Sequence, residues 1–73
     1  MPIVFSDHAK KQLEERYISQ KRTIETVKNA DTILASFKNR RLRQRLFGDK
    51  ILEVVTVTEG SRITVVTAYY LKQ

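Results

Sequence analysis

The sequence of 73 residues has no cysteine, no tryptophan and a single histidine, His8. Without cysteine the chain has no disulfide framework and no thiol nucleophile, and one histidine cannot form the Cys/His clusters that hold structural zinc. Glycine occurs twice and proline once, which excludes a flexible linker or a fibrous repeat. No apolar run approaches the ~18 residues of a membrane span. We therefore expect a cytoplasmic protein that has no membrane partner and works without a cofactor or metal ion.

The length of the chain suits one folding unit, so we expect a single domain over residues 1–73. The composition is 41% hydrophobic and 30% charged, as in folded globular proteins and unlike disordered tails. A domain of this size buries only ~60% of the surface that its unfolded chain exposes. Contacts with a partner would add to its stability, and a homodimer is one expectation.

The positive charge of the chain is concentrated in one segment. Fourteen Lys and Arg against eight Asp and Glu give a formal net charge of +6. Residues 38–45, KNRRLRQR, hold five of the basic residues and none of the acidic ones. Such a patch predicts a polyanionic partner, either RNA or an acidic protein.

Capping residues and apolar spacing predict two helices in the first half of the chain. Ser6 is typical of an N-cap, and Ala9 and Leu13 share one face, which indicates a helix over about residues 7–17. Ser19 is a second N-cap and predicts a helix that continues to about residue 29.

The second half of the chain is rich in Ile, Val, Thr and Tyr, which favours strands. Turn residues at 38–40, 48–49 and 59–61 separate four such segments. Short connections between neighbouring strands indicate antiparallel pairing. We therefore expect an α+β fold in which two N-terminal helices pack on one face of a four-stranded antiparallel sheet.

Alternation in the second of these strands puts Arg41, Arg43 and Arg45 on one face and two leucines on the other. If the leucines face the helices, the guanidinium groups form a row on the open face, and with Lys38 they make a nucleic-acid-binding surface. A register slip of one residue would exchange the two faces. The alternative is a solvated edge strand whose charge prevents aggregation.

The residue types also allow proton transfer. Histidine is a common general acid or base in proteins, so His8 can serve as one, although a surface histidine without a role is the alternative. Thr67 and Tyr69 share a face with Ile63 and Val65 by alternation, where they either contact phosphate or base or simply pack. RNA cleavage needs no cofactor, because the substrate supplies its own 2′-hydroxyl nucleophile.

The opening segment FSDHAKKQLEERYIS resembles the S-x-H-A pattern, followed by an arginine and a serine, that starts a family of small prokaryotic proteins of unassigned function (a DUF-type family). The middle FKNRRLRQRLFGDKILEVVTV is similar to the basic strand, glycine turn and valine-rich strand of that family. The end ITVVTAYYLK is similar to its closing V-V-T-x-Y. Tyr17 and Ala30 depart from the pattern, which commonly has glycine and proline there.

That family is similar to the RelE/ParE/BrnT-like toxins of bacterial toxin–antitoxin pairs, whose enzymatic members are metal-independent ribonucleases. The resemblance implies a RelE/BrnT-like fold and an endoribonuclease that acts by 2′-hydroxyl attack. The catalytic positions that it implies are His8, Arg16, Arg40 or Arg41, Thr67 and Tyr69. ParE-like relatives act on a topoisomerase instead, so a second reading stays open: a non-catalytic basic module that binds nucleic acid or an acidic protein such as an antitoxin.

Overall fold

The computed structural model describes residues 2–71, which form two helices and five strands. In chain order these are β1 (Ile3–Phe5), α1 (Asp7–Glu15), α2 (Gln20–Lys28), β2 (Thr32–Ala35), β3 (Arg40–Phe47), β4 (Lys50–Glu59) and β5 (Arg62–Leu71). The strands make one sheet in the order β1-β5-β4-β3-β2. Strands β2 to β5 pair antiparallel, and β1 pairs parallel to β5.

The predicted sheet of four antiparallel strands is therefore wrong, because the sheet has five strands and is mixed. The added strand, β1, is three residues long, so alternation cannot reveal it in the sequence. Its position comes from pairing with the far end of the chain, where Ile3 lies opposite Ile63 and Phe5 opposite Val65. The bond from Ser6 N to Val65 O, at 3.3 Å, continues this edge into α1.

The two predicted helices are confirmed, and both begin where the N-caps indicate. The Ser6 hydroxyl accepts a hydrogen bond from Ala9 N at 3.0 Å, and the Ser19 hydroxyl accepts one from Arg22 N at 3.0 Å. Such caps satisfy backbone N–H groups that have no partner inside the helix. No helix within residues 2–71 is long and apolar enough to span a membrane.

Helix α1 ends in a left-handed turn at Tyr17, whose φ angle is 55°. The amide of Ile18 donates to Leu13 O at 2.9 Å and that of Tyr17 to Glu14 O at 3.3 Å. This pair of bonds is the common helix C-terminal motif in which glycine occupies the left-handed position. The Tyr17 side chain is 94% exposed, so it gains no packing within the described structure in return for the unfavourable backbone angle.

The core lies between the two helices and one face of the sheet, which we call the helix face. Its members are Ala9, Leu13, Ile18 and Val27 from the helical half, Leu52 and Val54 from β4, and Ile63, Val65 and Ala68 from β5. Burial of each large aliphatic side chain stabilises the fold by roughly 1.5–3 kcal/mol. The other face, which we call the open face, carries neither α1 nor α2.

The turns between the last four strands are confirmed at the predicted positions. Lys38 and Asn39 both have φ angles of 60° and connect β2 to β3. Two successive left-handed residues are typical of the tight hairpin turn that matches the twist of the strands. Gly48 and Gly60, with φ angles of 64° and 59°, occupy the other two turns.

A β-bulge at Val66 changes which side chains of β5 share a face. Thr56 lies opposite Val65, but its neighbour Val55 lies opposite Thr67, so Val66 is an extra residue. Beyond the bulge, Thr67 and Tyr69 therefore lie on the open-face side of the strand. The prediction that they share a face with Ile63 and Val65 is wrong, because a bulge breaks the period of two on which it rested.

Candidate functional site

Three of the four arginines of β3, Arg41, Arg43 and Arg45, lie on the helix face. Arg43 is opposite Val54 and Arg45 is opposite Leu52, and both partners belong to the core under the helices. The expectation that the leucines of this strand face the helices is therefore wrong. Alternation defines two faces of a strand, but it does not say which face the helices cover.

The guanidinium groups of Arg43 and Arg45 bind backbone oxygens at the end of α2. Arg43 Nη1 donates to Val27 O at 3.3 Å, and Arg45 Nη1 donates to Asn29 O at 2.7 Å. The last carbonyl groups of a helix have no partner within it and carry partial negative charge, so cations bind there favourably. These two arginines connect the sheet to α2.

Arg43 is further fixed by a bond of 3.0 Å from its Nε to the hydroxyl of Thr56. Burial lowers the pKa of Arg43 from its usual range, and the neighbouring charge of Arg41 lowers it further. A guanidinium nevertheless stays charged at neutral pH.

The other predicted basic residues lie at the opposite end of the sheet from the end of α1. Lys38 is exposed in the hairpin turn, and a surface pocket beside it is lined by Arg40 and Arg41 together with Ala35, Ser36, Asn39, Thr58 and Gly60. Arg40 is opposite Val57, which is opposite Thr64 on β5. Thr64 is four residues, or ~13 Å along β5, from Ala68, whose backbone oxygen Arg16 binds. Arg40 is therefore at least this far from the Arg16 guanidinium.

Arg16, directly after α1, holds the outer edge of β5. Its Nη1 donates to Ala68 O at 2.9 Å, to the Thr67 hydroxyl at 3.2 Å and to Gln12 Oε1 at 3.4 Å. The Thr67 hydroxyl in turn donates to Gln12 Oε1. Strand β1 pairs with β5 only as far as Val65, so Ala68 O lies beyond the reach of that pairing. We call Gln12, Arg16 and Thr67 the Arg16 cluster.

His8 lies on the same side of α1 as this cluster. Gln12 lies one turn after His8 on the helix, and Arg16, the residue that ends it, follows one turn later and is rotated by about 80° from His8. The backbone positions of His8 and Arg16 are ~12 Å apart along the axis, but the guanidinium contacts Gln12, which is only ~6 Å from His8. His8 and Arg16 are both exposed.

A second polar group crosses the open face beside the Arg16 cluster. Gln44, Glu53 and Tyr69 lie opposite one another on β3, β4 and β5. Gln44 Nε2 donates to Glu53 Oε1 at 2.7 Å, and the Tyr69 hydroxyl donates to Glu53 Oε2. The Glu53 side chain is 6% exposed, and these two donors satisfy it. A carboxylate needs such partners when it is withdrawn from water.

The two polar groups are electrostatically coupled through Tyr69. The hydrogen bond to Glu53 raises the pKa of Tyr69 to about 12, with burial and the negative charge of Glu53 acting in the same direction. The positive charge of Arg16 acts against this shift. Tyr69 is therefore a neutral phenol at neutral pH, close enough to Arg16 to be affected by its charge.

Of the residues predicted as catalytic, the structure brings Arg16, Thr67 and Tyr69 together, and His8 lies one helical turn from Gln12, which contacts Arg16. Arg40 and Arg41 lie toward the other end of the sheet. Arg41 is also on the helix face, whereas Thr67 and Tyr69 are on the open face. Gln12, Gln44 and Glu53 were not predicted as site residues. Gln12 had a usable signal, since it is midway between His8 and Arg16 at a spacing of four. No three His, Asp or Glu side chains within residues 2–71 could hold a metal ion.

The family described as Domain of unknown function (DUF4258) matches residues 5–70 of the chain. The match covers both helices, the Arg16 cluster and the Glu53–Tyr69 pair. No curated protein and no solved structure matches the chain.

Proposed function

The chain belongs to the DUF4258 family, and from the geometry of its Arg16 cluster we propose that it is a metal-independent endoribonuclease. It would cleave RNA by attack of a 2′-hydroxyl on the adjacent phosphate, in the manner of the RelE/BrnT-like toxins that its sequence resembles. One observation carries this proposal: the guanidinium of Arg16 is fixed by Thr67 and Ala68 at the surface, and it also contacts Gln12, whose backbone is one helical turn from that of His8.

Arg16 supplies the positive charge that the reaction needs. Attack of the 2′-oxygen on phosphorus gives a pentavalent phosphate whose equatorial oxygens carry additional negative charge. A guanidinium that is already oriented stabilises this charge without reorganising during the step. The Arg16 group meets this requirement, because its Nη1 is held by a backbone oxygen and a hydroxyl, and its side chain is exposed.

His8 supplies the proton transfer. The imidazole takes the proton of the 2′-hydroxyl as the bond from the 2′-oxygen to phosphorus forms. The imidazolium then returns this proton to the 5′-oxygen as the bond between that oxygen and phosphorus breaks, which leaves a 2′,3′-cyclic phosphate and a 5′-hydroxyl. A positioned acid or base of this kind contributes ~10²–10⁴-fold to rate. His8 is the side chain at this surface whose ordinary pKa is near neutral.

Thr67 and Tyr69 position the reacting groups. Thr67 bonds to both Arg16 and Gln12, so it fixes the direction of the guanidinium. Tyr69 is neutral and donates a hydrogen bond to Glu53, so its ring and the lone pairs of its oxygen are available to contact a base or a donor group of the RNA. Arg40 and Arg41, at the far end of the sheet, would bind the RNA strand at a distance and take no part in the bond-breaking step.

The test is incubation of the purified protein with single-stranded RNA and a chelator, followed by analysis of the fragment ends. The proposal predicts 2′,3′-cyclic phosphate termini, and it predicts that His8→Ala lowers the cleavage rate by ~10²-fold or more with nearly unchanged RNA affinity. Lys11→Ala is the control, because Lys11 is exposed and points away from the sheet. Intact RNA, or full activity in the His8 variant, would contradict the proposal.

A second candidate function is a non-catalytic module that binds nucleic acid or an acidic protein such as an antitoxin. The net charge of +6 favours it, although Arg43 and Arg45, which bind the end of α2, contribute less to such a surface than the sequence suggests. Binding of RNA without any cleavage product would support this alternative. Such binding would weaken steeply with salt, because each neutralised phosphate releases counterions.

A further inference from the structure

Cations and aromatic rings lie together at the end of the sheet where β3 turns into β4. The guanidinium carbons of Arg22 and Arg45 are 5.0 Å and 5.7 Å from the ring centroid of Phe47. Lys50 Nζ is 5.5 Å from the ring centroid of Tyr70. Arg22 Nη1 also donates to the Tyr70 hydroxyl at 3.0 Å. We call these five residues the basic-aromatic cluster.

The fold holds the two rings of the cluster in place. Phe47 and Tyr70 are half-buried and pack against the core from the helix face. Phe47 is opposite Lys50, and Tyr70 is opposite Leu52, so neighbouring strands fix their spacing. The rings in turn hold the cations, since a cation is attracted to the negative face of an aromatic ring.

This arrangement positions the cations without neutralising them. A ring face has no net charge, and the hydrogen bonds of Arg22 and Arg45 go to neutral oxygens, the Tyr70 hydroxyl and the Asn29 carbonyl. In addition, the Nε of Arg45 is buried and has no hydrogen-bond partner within residues 2–71. Three positive charges at one surface raise the local concentration of anions.

We propose that the basic-aromatic cluster binds the phosphate groups of single-stranded RNA and holds the strand that extends from the Arg16 cluster. The two clusters are near neighbours. Arg16 binds Ala68 O, and the cations contact Tyr70, which is two residues or ~7 Å further along β5. One RNA strand a few nucleotides long therefore reaches both.

The composition of the cluster favours RNA over an acidic peptide. Guanidinium groups bind phosphate and carboxylate alike with two parallel hydrogen bonds, but only a nucleic acid also offers bases that stack on guanidinium planes and aromatic rings. Contacts to phosphate position a strand without reading its sequence, so the cluster adds affinity and not base preference. The inference rests on the proposed function only in that RNA is the polyanion, and it does not require that RNA be cleaved.

The test measures the binding of a fluorescently labelled single-stranded RNA by anisotropy over a range of salt concentrations, on the His8→Ala background. Lys50→Ala and Arg22→Ala are each expected to weaken binding roughly fivefold and to make the slope of log K against log salt shallower by ~0.7. Lys11→Ala is expected to leave both quantities unchanged. Because Arg22 lies in the first turn of α2, Lys50→Glu serves as a second variant, since Lys50 is exposed at the start of β4.

Unchanged affinity and slope in Lys50→Ala and Lys50→Glu would overturn the proposal. Binding of polyglutamate in preference to RNA, weakened by the same variants, would overturn it in favour of an acidic protein partner. The outcome is separable from that of the nuclease proposal. If RNA binds through the cluster but wild-type protein leaves it intact, the nuclease proposal alone is contradicted. If RNA is cleaved but the Lys50 variants bind it as wild type does, the proposal for the basic-aromatic cluster alone is contradicted.

Discussion

Arg43 on β3 donates a hydrogen bond of 3.3 Å to the backbone oxygen of Val27 in the last turn of α2. Arg45, which is two residues further along β3, makes the equivalent bond to Asn29 O, directly after α2. The most basic segment of the sequence is therefore used in part to hold a helix on the sheet. The groups best placed to act on a phosphate come instead from α1 and β5, which have little net charge in the sequence.

Arg43→Ala should destabilise the protein by about 2 kcal/mol, because it removes charged hydrogen bonds from Val27 O and the Thr56 hydroxyl. Arg41→Ala is the matched control. Arg41 is on the same face of the same strand but is exposed, so its loss should cost less than about 0.5 kcal/mol. Urea unfolding measures both values. Equal losses in the two variants would contradict a structural role for Arg43.

The sequence predicted those parts of the fold that depend on local chemistry. Both helices follow from serine caps, and the turns follow from residues that tolerate positive φ angles. Strand β1 could not be predicted, because three residues carry no period and its register is set by a segment some sixty residues away. The bulge at Val66 was missed for a related reason, since an unbroken run of Val and Thr fits regular alternation equally well.

The candidate site was predictable only to the extent that local pattern defines it. The spacing of His8 and Arg16 puts them on neighbouring stripes of the helix, about 12 Å apart along its axis. The contact of Arg16 with Ala68 depends on where β1 stops, which is a tertiary property. The pairing of Glu53 with Tyr69 depends on the register after the bulge, so the sequence could not show that these two residues are partners.

Replacement of Tyr17 by glycine should stabilise the protein. Tyr17 has a φ angle of 55° and is 94% exposed, so glycine relieves backbone strain and removes no packing. We expect a gain of about 1 kcal/mol, and a rise in Tm of about 4–8 °C, for a domain of this size. Tyr17→Ala retains the strained angle and should change Tm little. A fall in Tm for the glycine variant would show that the tyrosine ring makes a stabilising contact.

The phenol of Tyr69 should titrate near pH 12, well above the ordinary value of 10.0. Ultraviolet absorbance of the phenolate follows this titration, and Tyr69→Phe identifies which transition belongs to it. Glu53→Gln should move the transition to lower pH, because it removes the negative charge beside the phenol. A transition that is insensitive to this change would contradict the Glu53–Tyr69 pairing.

The same pKa shift predicts how stability depends on pH. Because the pKa of Tyr69 is higher in the folded chain than in the unfolded one, the unfolded chain loses this proton first. The contribution of Tyr69 to stability is therefore complete below about pH 10 and is lost as the pH rises toward 12. Unfolding measured across this range in wild type and Tyr69→Phe should show a steeper decline for wild type.

The central claim is that Arg16 stabilises the phosphate during RNA cleavage, and the cleavage rate of an Arg16→Ala variant tests it most directly. We expect kcat/KM for single-stranded RNA, measured with a chelator present, to fall by ~10²–10³-fold, while Lys11→Ala stays within twofold or so of wild type. Thermal unfolding in parallel shows that the variant is folded at the assay temperature. A folded Arg16→Ala protein that cleaves RNA as fast as the wild type would contradict the claim.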